Sequence, residues 1–426
     1  MPEMKDSGIE WIGRIPDGWK ISKLKYELSE PMKYGATETG VDYDDKLYRY
    51  IRITDITSDG KLREDGKLSL TEDQANGYVL ADNTVLFARS GGTVGKSFLY
   101  KKEYGRAAFA GYLISAVIDN NKMLPKWLMY YTGSAAYKEW TNGIFTQATI
   151  QNIGADKYCN MQIPVAPIIE QNKIIDFLDV KCNEIDLLVS DIQAEINILE
   201  QYKKTVITEA VTKGLNSKVQ MKDSGVQWIG EMPSHWNCIR GKYILKYLQK
   251  PVRQDDGVIT CFRDGEVTLR SNRREDGFTL SDKEIGYQGI DVGDLVVHGM
   301  DGFAGSIGIS DSRGKASPVL NVLDTDMDKK YIMYYLRSMA YSDVFLALAT
   351  GIRVRSCDLR WNKLAELIYP IPPIEEQRKI SKYIDGVIEE ANKIIDMKKS
   401  QLQMLDEYKK SVIYEYVTGK KEVPQS

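Results

Sequence analysis

The sequence predicts an α+β protein that is built twice, with two mixed strand-and-helix modules and a long helix behind each module. Residues 4–19 return as residues 221–236 with ten of sixteen positions identical, and the proline-rich residues 163–171 return as residues 369–377. The third observation is the apolar pattern that follows each proline-rich segment. The spacing of the repeats is far above the roughly 20 to 50 residues of a solenoid, so the chain is predicted to hold two copies of one module.

Each proline-rich segment is predicted to open a long helix, because proline suits the first helical turn and Glu170 and Glu376 suit the positive end of the helix dipole. Behind it, apolar residues recur every seven positions with companions at three or four, which is the pattern of a helix that pairs with another helix. Leu188 and Tyr202 are predicted to fill the same seam. The predicted helix-pairing residues are Leu178, Ile185, Ile192, Leu199, Val206, Ile384, Ile388, Ile395, Leu402, Leu405 and Val412.

Two matching apolar stripes in one chain are expected to pair with each other as an intramolecular coiled coil. Because a whole module joins the end of the first helix to the start of the second, antiparallel pairing is the simplest closure. Such pairing would relate the two modules by an approximate two-fold axis. The predicted boundaries are 1–160 for the first module, 161–215 for the first long helix, 216–366 for the second module and 367–426 for the second long helix.

Within each module, alternating apolar stretches bounded by Gly, Asp and Asn predict strands, and a helical segment is predicted after them. The repeated phrase with two tryptophans is predicted to be a compact entry loop that caps its module by aromatic burial. The predicted strands cover residues 47–53, 67–70, 83–88 and 112–118 in the first module and 257–262, 266–269, 294–298 and 306–309 in the second. The predicted helices cover residues 125–140 and 329–348.

The composition argues against several classes of function. With only two histidines, a His-rich metal site or a duplicated histidine mechanism is close to excluded. The five cysteines form no Cys-x-x-Cys pair, which indicates reduced, mostly buried thiols. No apolar run could span a membrane and no signal-peptide core is present, so a cytoplasmic location is expected. The net charge of −3 taken alone argues against a nucleic-acid binder, although the basic residues are clustered.

A glycine turn recurs in both modules. Residues 90–97 resemble a phosphate-binding P-loop, but Ser90 stands where that loop needs glycine. Residues 300–307 have Ser306 where the first copy has Lys96, so the second copy lacks the lysine that would neutralise phosphate. Both segments are therefore predicted to be turns between strands, at which a ligand can approach the backbone closely.

Basic residues gather in the variable middle of each module, among Ser, Asn and Gly in predicted loops. Arginine pairs with phosphate or guanine, and Asn or Gln with adenine, so the clusters favour DNA. For any single residue, a solvated surface is the alternative. The candidate DNA-binding residues are Arg52, Arg63, Arg89, Lys96, Asn142, Gln147, Arg263, Arg270, Arg273, Arg274, Arg353 and Arg355.

No catalytic pattern appears in both modules. Pro372 and Pro373 belong to a helix entry rather than to the Asn-Pro-Pro-aromatic tetrad of amino-methylating enzymes, and no Gly-rich cofactor fingerprint follows a strand. In its proline-rich helix entries at Ile163 and Pro370, its repeated Trp-Ile-Gly phrase and its glycine turns, the sequence resembles the specificity subunits of type I restriction-modification enzymes. The resemblance covers nearly the whole chain.

The resemblance implies two target-recognition domains that each read one half of a split DNA sequence and are held apart by the antiparallel helices. It also implies docking of two methyltransferase subunits, which restriction subunits with translocase and nuclease activity would join. The chain itself would carry no catalytic residue and no metal, and S-adenosylmethionine, ATP and magnesium would belong to the partners. The acidity of the chain suggests that those partners supply much of the phosphate contact.

Two other classes of protein stay open at this point. A coiled-coil scaffold that binds protein would show no preference for any duplex sequence. A nucleotide-dependent enzyme that uses the glycine turns would lose nucleotide binding when Lys96 is replaced.

Overall fold

The computed structural model describes residues 3–57, 60–145, 151–273, 285–348 and 359–424. The chain divides into two compact units: unit 1 is Met1–Ile192 with Ser400–Ser426, and unit 2 is Gln193–Lys399. Unit 1 is therefore assembled from both ends of the chain. Within the described ranges, no helix has the length and apolar content that a membrane span requires.

The first module alternates short strands with a few helices and ends in a long helix. Its elements are β1 (Met4–Asp6), β2 (Arg14–Pro16), β3 (Lys20–Lys23), β4 (Lys33–Tyr34), β5 (Val41–Asp42), β6 (Tyr48–Ile51), β7 (Leu68–Leu70), α1 (Glu72–Ala75), β8 (Val85–Ala88), β9 (Ser97–Leu99), β10 (Ala107–Phe109), β11 (Leu113–Ala116), α2 (Pro125–Thr132), α3 (Ala135–Phe145), α4 (Ala155–Cys159), β12 (Gln162–Val165) and α5 (Ile168–Lys213).

The second module follows the same order, except that its described residues include no counterpart of α1. Its elements are β13 (Met221–Asp223), β14 (Glu231–Pro233), β15 (Asn237–Arg240), β16 (Lys246–Leu248), β17 (Ile259–Cys261), β18 (Val267–Leu269), β19 (Gln288–Ile290), β20 (Leu295–His298), β21 (Ile307–Ile309), β22 (Gly314–Ala316), β23 (Leu320–Asp324), α6 (Lys329–Tyr341), α7 (Val344–Ala347), α8 (Trp361–Glu366), β24 (Ile368–Ile371) and α9 (Ile374–Val417).

The central sheets of the two modules have the same strand order. Unit 1 contains an antiparallel sheet β4-β11-β8-β9, and unit 2 contains an antiparallel sheet β16-β23-β20-β21. In each, the glycine turn joins the last two strands of that order, as the sequence predicted. Unit 1 adds a mixed sheet β10-β6-β7-β5, in which β10 runs parallel to β6.

Every predicted strand contains an observed strand, and both predicted helical segments are helical. The predicted entry loop is more regular than expected, because it is an antiparallel hairpin, β1–β2 in one module and β13–β14 in the other. The proline-rich segment is a strand before it becomes a helix. β12 pairs antiparallel with β3, and β24 with β15, so each long helix starts only after the chain has joined a sheet.

The two long helices pack together, and within each unit the packing is antiparallel. In unit 1, the rings of Phe177 and Tyr416 lie 4.5 Å apart between centroids, and Lys409 Nζ is 2.6 Å from Asp186 Oδ1. From the first contact to the second, the residue number increases along α5 and decreases along α9. The two helices therefore run in opposite directions. At 46 and 44 residues, the helices are each roughly 65 Å long at about 1.5 Å per residue.

Unit 2 shows the same order of helix contacts. Lys203 Nζ donates to Asn392 Oδ1 at 2.8 Å, and Lys398 forms an ion pair with Glu195. The predicted coiled coil is therefore present in the contacts of each unit.

Fewer of the predicted pairing residues are buried between the two long helices than the sequence suggested. Of the predicted pairing residues, Leu178, Ile185, Ile384, Ile395 and Val412 are buried, while Ile192, Leu199, Val206, Ile388, Leu402 and Leu405 are half-buried. The prediction for Leu188 and Tyr202 is wrong, because their side chains are 51% and 49% exposed. A straight α-helix drifts by about 20° per heptad, so residues flanking the stripe turn toward solvent.

Each unit has its own apolar core, closed by one tryptophan of the repeated phrase. In unit 1, Trp19 lies 5.4 Å from Trp127, centroid to centroid, and joins a cluster with Leu178 and Val417. In unit 2, Trp236 is fully buried in a cluster that includes Val211 and Ile384. Both clusters combine residues of α5 and of α9, so neither core is complete without both long helices.

The described cysteines are unpaired, and Cys182 and Cys261 are buried. Burial raises the pKa of the Cys261 thiol to about 12, which keeps it protonated. Cys357 lies outside the described residues.

Candidate nucleic-acid interface

The repeated Glu-Gln of each helix entry ties three segments of its module together. Gln171 is fully buried, accepts a hydrogen bond from Leu124 N at 2.9 Å and donates to Ala166 O at 2.7 Å. Gln377 does the same in unit 2, accepting from Asp328 N at 3.0 Å and donating to Pro372 O at 2.8 Å. The glutamine thus connects the strand before the long helix, the helix itself and the segment before the module helix.

The glutamate beside it orients the entry hairpin. Trp19 Nε1 donates to Glu170 Oε2 at 2.9 Å, and Trp236 Nε1 donates to Glu376 Oε1 at 3.2 Å. A carboxylate in the first helical turn is stabilised by the exposed helix N–H groups, and the buried indole N–H gains its partner. His235 Nε2 adds a 2.8 Å contact to Glu376 that the first unit lacks, because Gly18 stands there.

A third contact, made by an aspartate of each long helix, is also repeated. We call the glutamine, glutamate and aspartate contacts together the frame of each module. In unit 2, the Asp385 carboxylate accepts from Lys330 Nζ and from the Tyr334 hydroxyl, both at 2.6 Å. In unit 1, Asp179 has the same partners in Lys126 and Tyr130. Burial, reinforced by the neighbouring carboxylate, raises the pKa of both tyrosines. These contacts hold the module helix on the long helix and use no residue of the variable middle.

The candidate DNA-binding arginines in the variable middle of unit 1 differ in their hydrogen-bond partners. Arg52 is held by Asp55, with Nε 3.0 Å from Oδ2 and Nη2 2.7 Å from Oδ1, and it also donates to Gly66 O. The hydrogen bond to Asp55 raises the pKa of Arg52. Arg63 is exposed, and its guanidinium has no partner among the residues that the structure describes. Arg52 therefore shapes the loop, while Arg63 is available to a ligand.

Arg89 stands at the end of β8, with its guanidinium 4.8 Å from the ring centroid of Tyr34. Its Nε is buried and has no hydrogen-bond partner among the described residues. Tyr34 is 42% exposed, and neighbouring Tyr112 is 63% exposed. Tyr34 was not a predicted site residue, although aromatic residues next to arginine are common at nucleic-acid surfaces.

Lys96 and Asn142 are brought together by the fold, since both are exposed and line one cavity of about 1100 Å³ in unit 1. The cavity lies between the glycine turn, α3 and the residues 407–414 of α9. Gly95 has φ +84° and lets the turn reverse so that β8 and β9 can pair, with Ala88 N donating to Lys96 O. Gln147 lies outside the described residues.

In unit 2, three candidate arginines lie on the β17–β18 hairpin or directly after it. Arg263, Arg270 and Arg273 line one cavity of about 930 Å³. Arg263 Nη2 is 3.2 Å from Asp301, and Arg273 lies 2.6 Å from Asp264 and 2.9 Å from Glu266. Arg270 Nε donates to Thr260 Oγ1 at 3.3 Å. Arg274, Arg353 and Arg355 lie outside the described residues.

His298 and Ser306 line the same cavity and were missed as site residues. The sequence offered one signal for them: both flank the glycine turn at places where the first module has Ala88 and Lys96. Among the described residues, no cluster of three or more His, Cys, Asp or Glu could hold a metal ion.

The repeated frame and the unlike cavities define a class of duplicated protein, with two related modules and two long helices that pack together within each unit. Comparison with known proteins shows what the chain is similar to. Residues 16–197 match the family model described as the type I restriction modification DNA specificity domain.

Related proteins extend the match over the full length. The MjaVIII type I restriction enzyme specificity subunit of Methanocaldococcus jannaschii is 23% identical over 96% of this chain and 94% of its own. The StySPI type I restriction enzyme specificity subunit of Salmonella potsdam is 19% identical over 96% of this chain and 90% of its own.

A solved structure from work on complex assembly and conformational transition of the type I R-M system shares the fold. It has a TM-score of 0.67 and 13% identity, and the alignment covers 96% of this chain and 99% of that one. By its match over residues 16–197 and its likeness along almost the whole chain to curated relatives, the chain is similar to type I restriction-modification specificity subunits.

Proposed function

We propose that each module reads one half of a bipartite DNA target, that the long helices set the gap between the half-sites, and that the chain docks two methyltransferase subunits. Restriction subunits would join that complex. S-adenosylmethionine, ATP and magnesium would act in the partners, and this chain would contribute recognition without catalysis. Because the proposed ligand is DNA, we expect the chain to lie in the cytoplasm.

The observation that carries the proposal is the contrast between constant frame and variable surface. Gln171 and Gln377 make matching contacts, as do Glu170 and Glu376, so the two modules present their surfaces on the same scaffold. The surfaces themselves differ, with Arg89, Lys96 and Asn142 in unit 1 and an arginine-lined cavity in unit 2. Two unlike readers on one scaffold are what a target with two unlike halves requires.

The direct test is methylation mapping of DNA from a host that expresses this chain with its methyltransferase subunit. We expect one motif of two short specified sequences around an unspecified gap of fixed length. A host expressing the methyltransferase alone is the control and should lack the motif. Methylation at a single continuous sequence, or sequence-independent methylation, would contradict the proposal.

The role of the helices can be tested by shortening both together. Removing residues 186–192 and 403–409 takes one heptad from each helix within unit 1 and removes both partners of the Asp186–Lys409 ion pair. The helices shorten by about 10 Å, the rise of roughly three base pairs of B-DNA. We expect the specified bases to stay the same while the gap shortens by about three base pairs. Altered bases would show that the helices do not set the gap.

The net charge of −3 motivates a separate test of the phosphate contacts. If the methyltransferase supplies much of them, the slope of log affinity against log salt should be shallow for the chain alone and steeper for the complex. A slope that is already steep for the chain alone would contradict this part of the proposal.

A further inference from the structure

The cavity of about 930 Å³ in unit 2 holds a histidine whose tautomer is fixed by the backbone. His298 Nδ1 accepts hydrogen bonds from Met300 N at 3.2 Å and from Asp301 N at 2.9 Å. Because Nδ1 is the acceptor, the neutral ring carries its proton on Nε2. Among the described residues, Nε2–H has no acceptor, and the ring lines the cavity. The cavity therefore contains a neutral donor of known orientation.

A second polar group in the lining is also without a partner. Ser306 is 1% exposed, and its Oγ is buried with no hydrogen-bond partner among the described residues. A buried hydroxyl without a partner costs stability, and such groups in a native structure call for an explanation. Ser306 and His298 are close in the fold, since His298 N donates to Ser306 O at 3.0 Å. A ligand in the cavity would give both side chains a partner.

The lining is rich in donors and its carboxylates are already neutralised. Asp301 is paired with Arg263, and Asp264 is paired with Arg273. Arg270 adds a further cation beside the two uncharged donors. Donors around a concave site fit a group that protrudes and carries only acceptors. A backbone phosphate of duplex DNA is such a group, whereas a base edge lies inside a groove and could not reach the cavity floor.

We propose that His298 Nε2–H and the Ser306 hydroxyl bind one backbone phosphate of the half-site that unit 2 contacts. This anchor rests on the proposed DNA-recognition function. It fixes the register of the second module on the duplex and reads no base. The first module lacks it, because Ala88 and Lys96 occupy the corresponding positions, and Lys96 is an exposed flexible cation instead.

Ser306→Ala separates binding from folding. The hydroxyl has no partner in the free protein, so its removal should leave the melting temperature unchanged or raise it. Binding of the full chain to its mapped target duplex should weaken about tenfold, the value of a hydrogen bond to a charged group. Ser310→Ala is the matched control, because Ser310 is equally buried but its Oγ already donates to Ser312 O at 2.8 Å. That control should lose stability and keep its affinity.

His298→Asn tests the ring in the same way. The Asn Oδ1 can replace Nδ1 as the acceptor for Met300 N and Asp301 N, so the turn is kept while the Nε2–H donor is lost. Affinity should again fall about tenfold, and methylation mapping should return the same bases and gap.

Duplexes with one neutral methylphosphonate at each position of the unit 2 half-site locate the phosphate. At a single position, the wild type should lose about tenfold in affinity while Ser306→Ala and His298→Asn lose little more, since the interaction is already absent. Equal loss for all three proteins at every position would overturn the anchor, as would a change of specified bases in either variant.

Two further outcomes also decide the matter. Stabilisation of the wild type by inorganic phosphate, together with equal binding of all methylphosphonate duplexes, would assign the cavity to a free anion and overturn the anchor. Sequence-selective binding that both variants keep in full overturns the anchor alone, whereas a wild type that binds no duplex selectively overturns it together with the proposed function.

Discussion

The two modules differ in what they repeat and in what they change. The contacts that build the frame are the same in kind: a buried glutamine, a tryptophan on a glutamate, and a lysine and tyrosine on an aspartate. The glycine turn is also present in both modules, but the side chains that flank it differ. Ala88 and Lys96 of the first module correspond to His298 and Ser306 of the second. The two copies therefore agree in the residues that build the frame and differ in the residues proposed to contact a ligand.

The difference teaches which repeated residues are structural. Glu170 and Gln171 look like a functional motif in the sequence because they return as Glu376 and Gln377. Among the described residues, their side-chain partners lie within their own unit: backbone groups and one indole for the first pair, with the His235 ring and the Met327 sulfur as well for the second. Repetition marks the frame here, and a search for the ligand-binding residues must look where the copies disagree.

The largest expected effect breaks the frame in both modules. Gln171→Ala and Gln377→Ala each leave a backbone N–H and a carbonyl without their buried partner, so each should lower the free energy of unfolding by about 3 kcal/mol. Urea titration of the full chain measures it. Gln193→Ala, on the exposed face of α5, is the control and should cost less than about 0.5 kcal/mol. A loss confined to one module would show that the two frames are not equivalent.

A smaller effect sharpens the contrast between frame and surface inside unit 1. Arg52→Gln should lower stability by about 1 to 2 kcal/mol, because Asp55 loses its bidentate partner in a site where it is largely buried. Arg63→Gln should leave stability unchanged and reduce the slope of log affinity against log salt by about 0.9 if the guanidinium meets a phosphate. Thermal melts and salt titrations of both variants make the comparison. Equal loss of stability in the two would contradict the assigned roles.

The smallest expected effect concerns pH and exists only in unit 2. Burial lowers the pKa of His298, so the unfolded chain binds a proton there more readily than the folded chain does. The stability that this group contributes is present above the unfolded value of about 6.5 and is lost as the pH falls below it. The melting temperature of the wild type should therefore decline more steeply between about pH 7 and 5 than that of His298→Asn. Parallel curves would show that His298 titrates alike in both states.

Much of the fold could be predicted because its signals are local. The heptad stripe of α5 and α9, the short apolar runs of β8 and β20 and the glycine turns all depend on neighbours within a few residues. The β12 and β24 strands were missed for the same reason. Their pairing with β3 and β15 depends on residues more than a hundred positions away, and prolines in the segment disguise an edge strand.

The candidate DNA-binding residues were harder to predict, since residue type says what a side chain can do and not which partner it has. Arg52 and Arg63 are chemically identical, yet Asp55 occupies one and leaves the other exposed. Arg263, Arg270 and Arg273 line one cavity, and that cavity also depends on β20 and the segment before β23. Whether these residues contact DNA stays a prediction.

The sequence by itself determined that this chain is a duplication with two long paired helices, because repeats and apolar periodicity are written in the order of residues. Only the tertiary structure decided that each core takes residues from both long helices, that Gln171 and Gln377 are internal ties, and that His298 presents Nε2–H. Those properties depend on which distant groups meet, and a hydrogen bond between residues far apart in the chain leaves no periodic trace in the sequence.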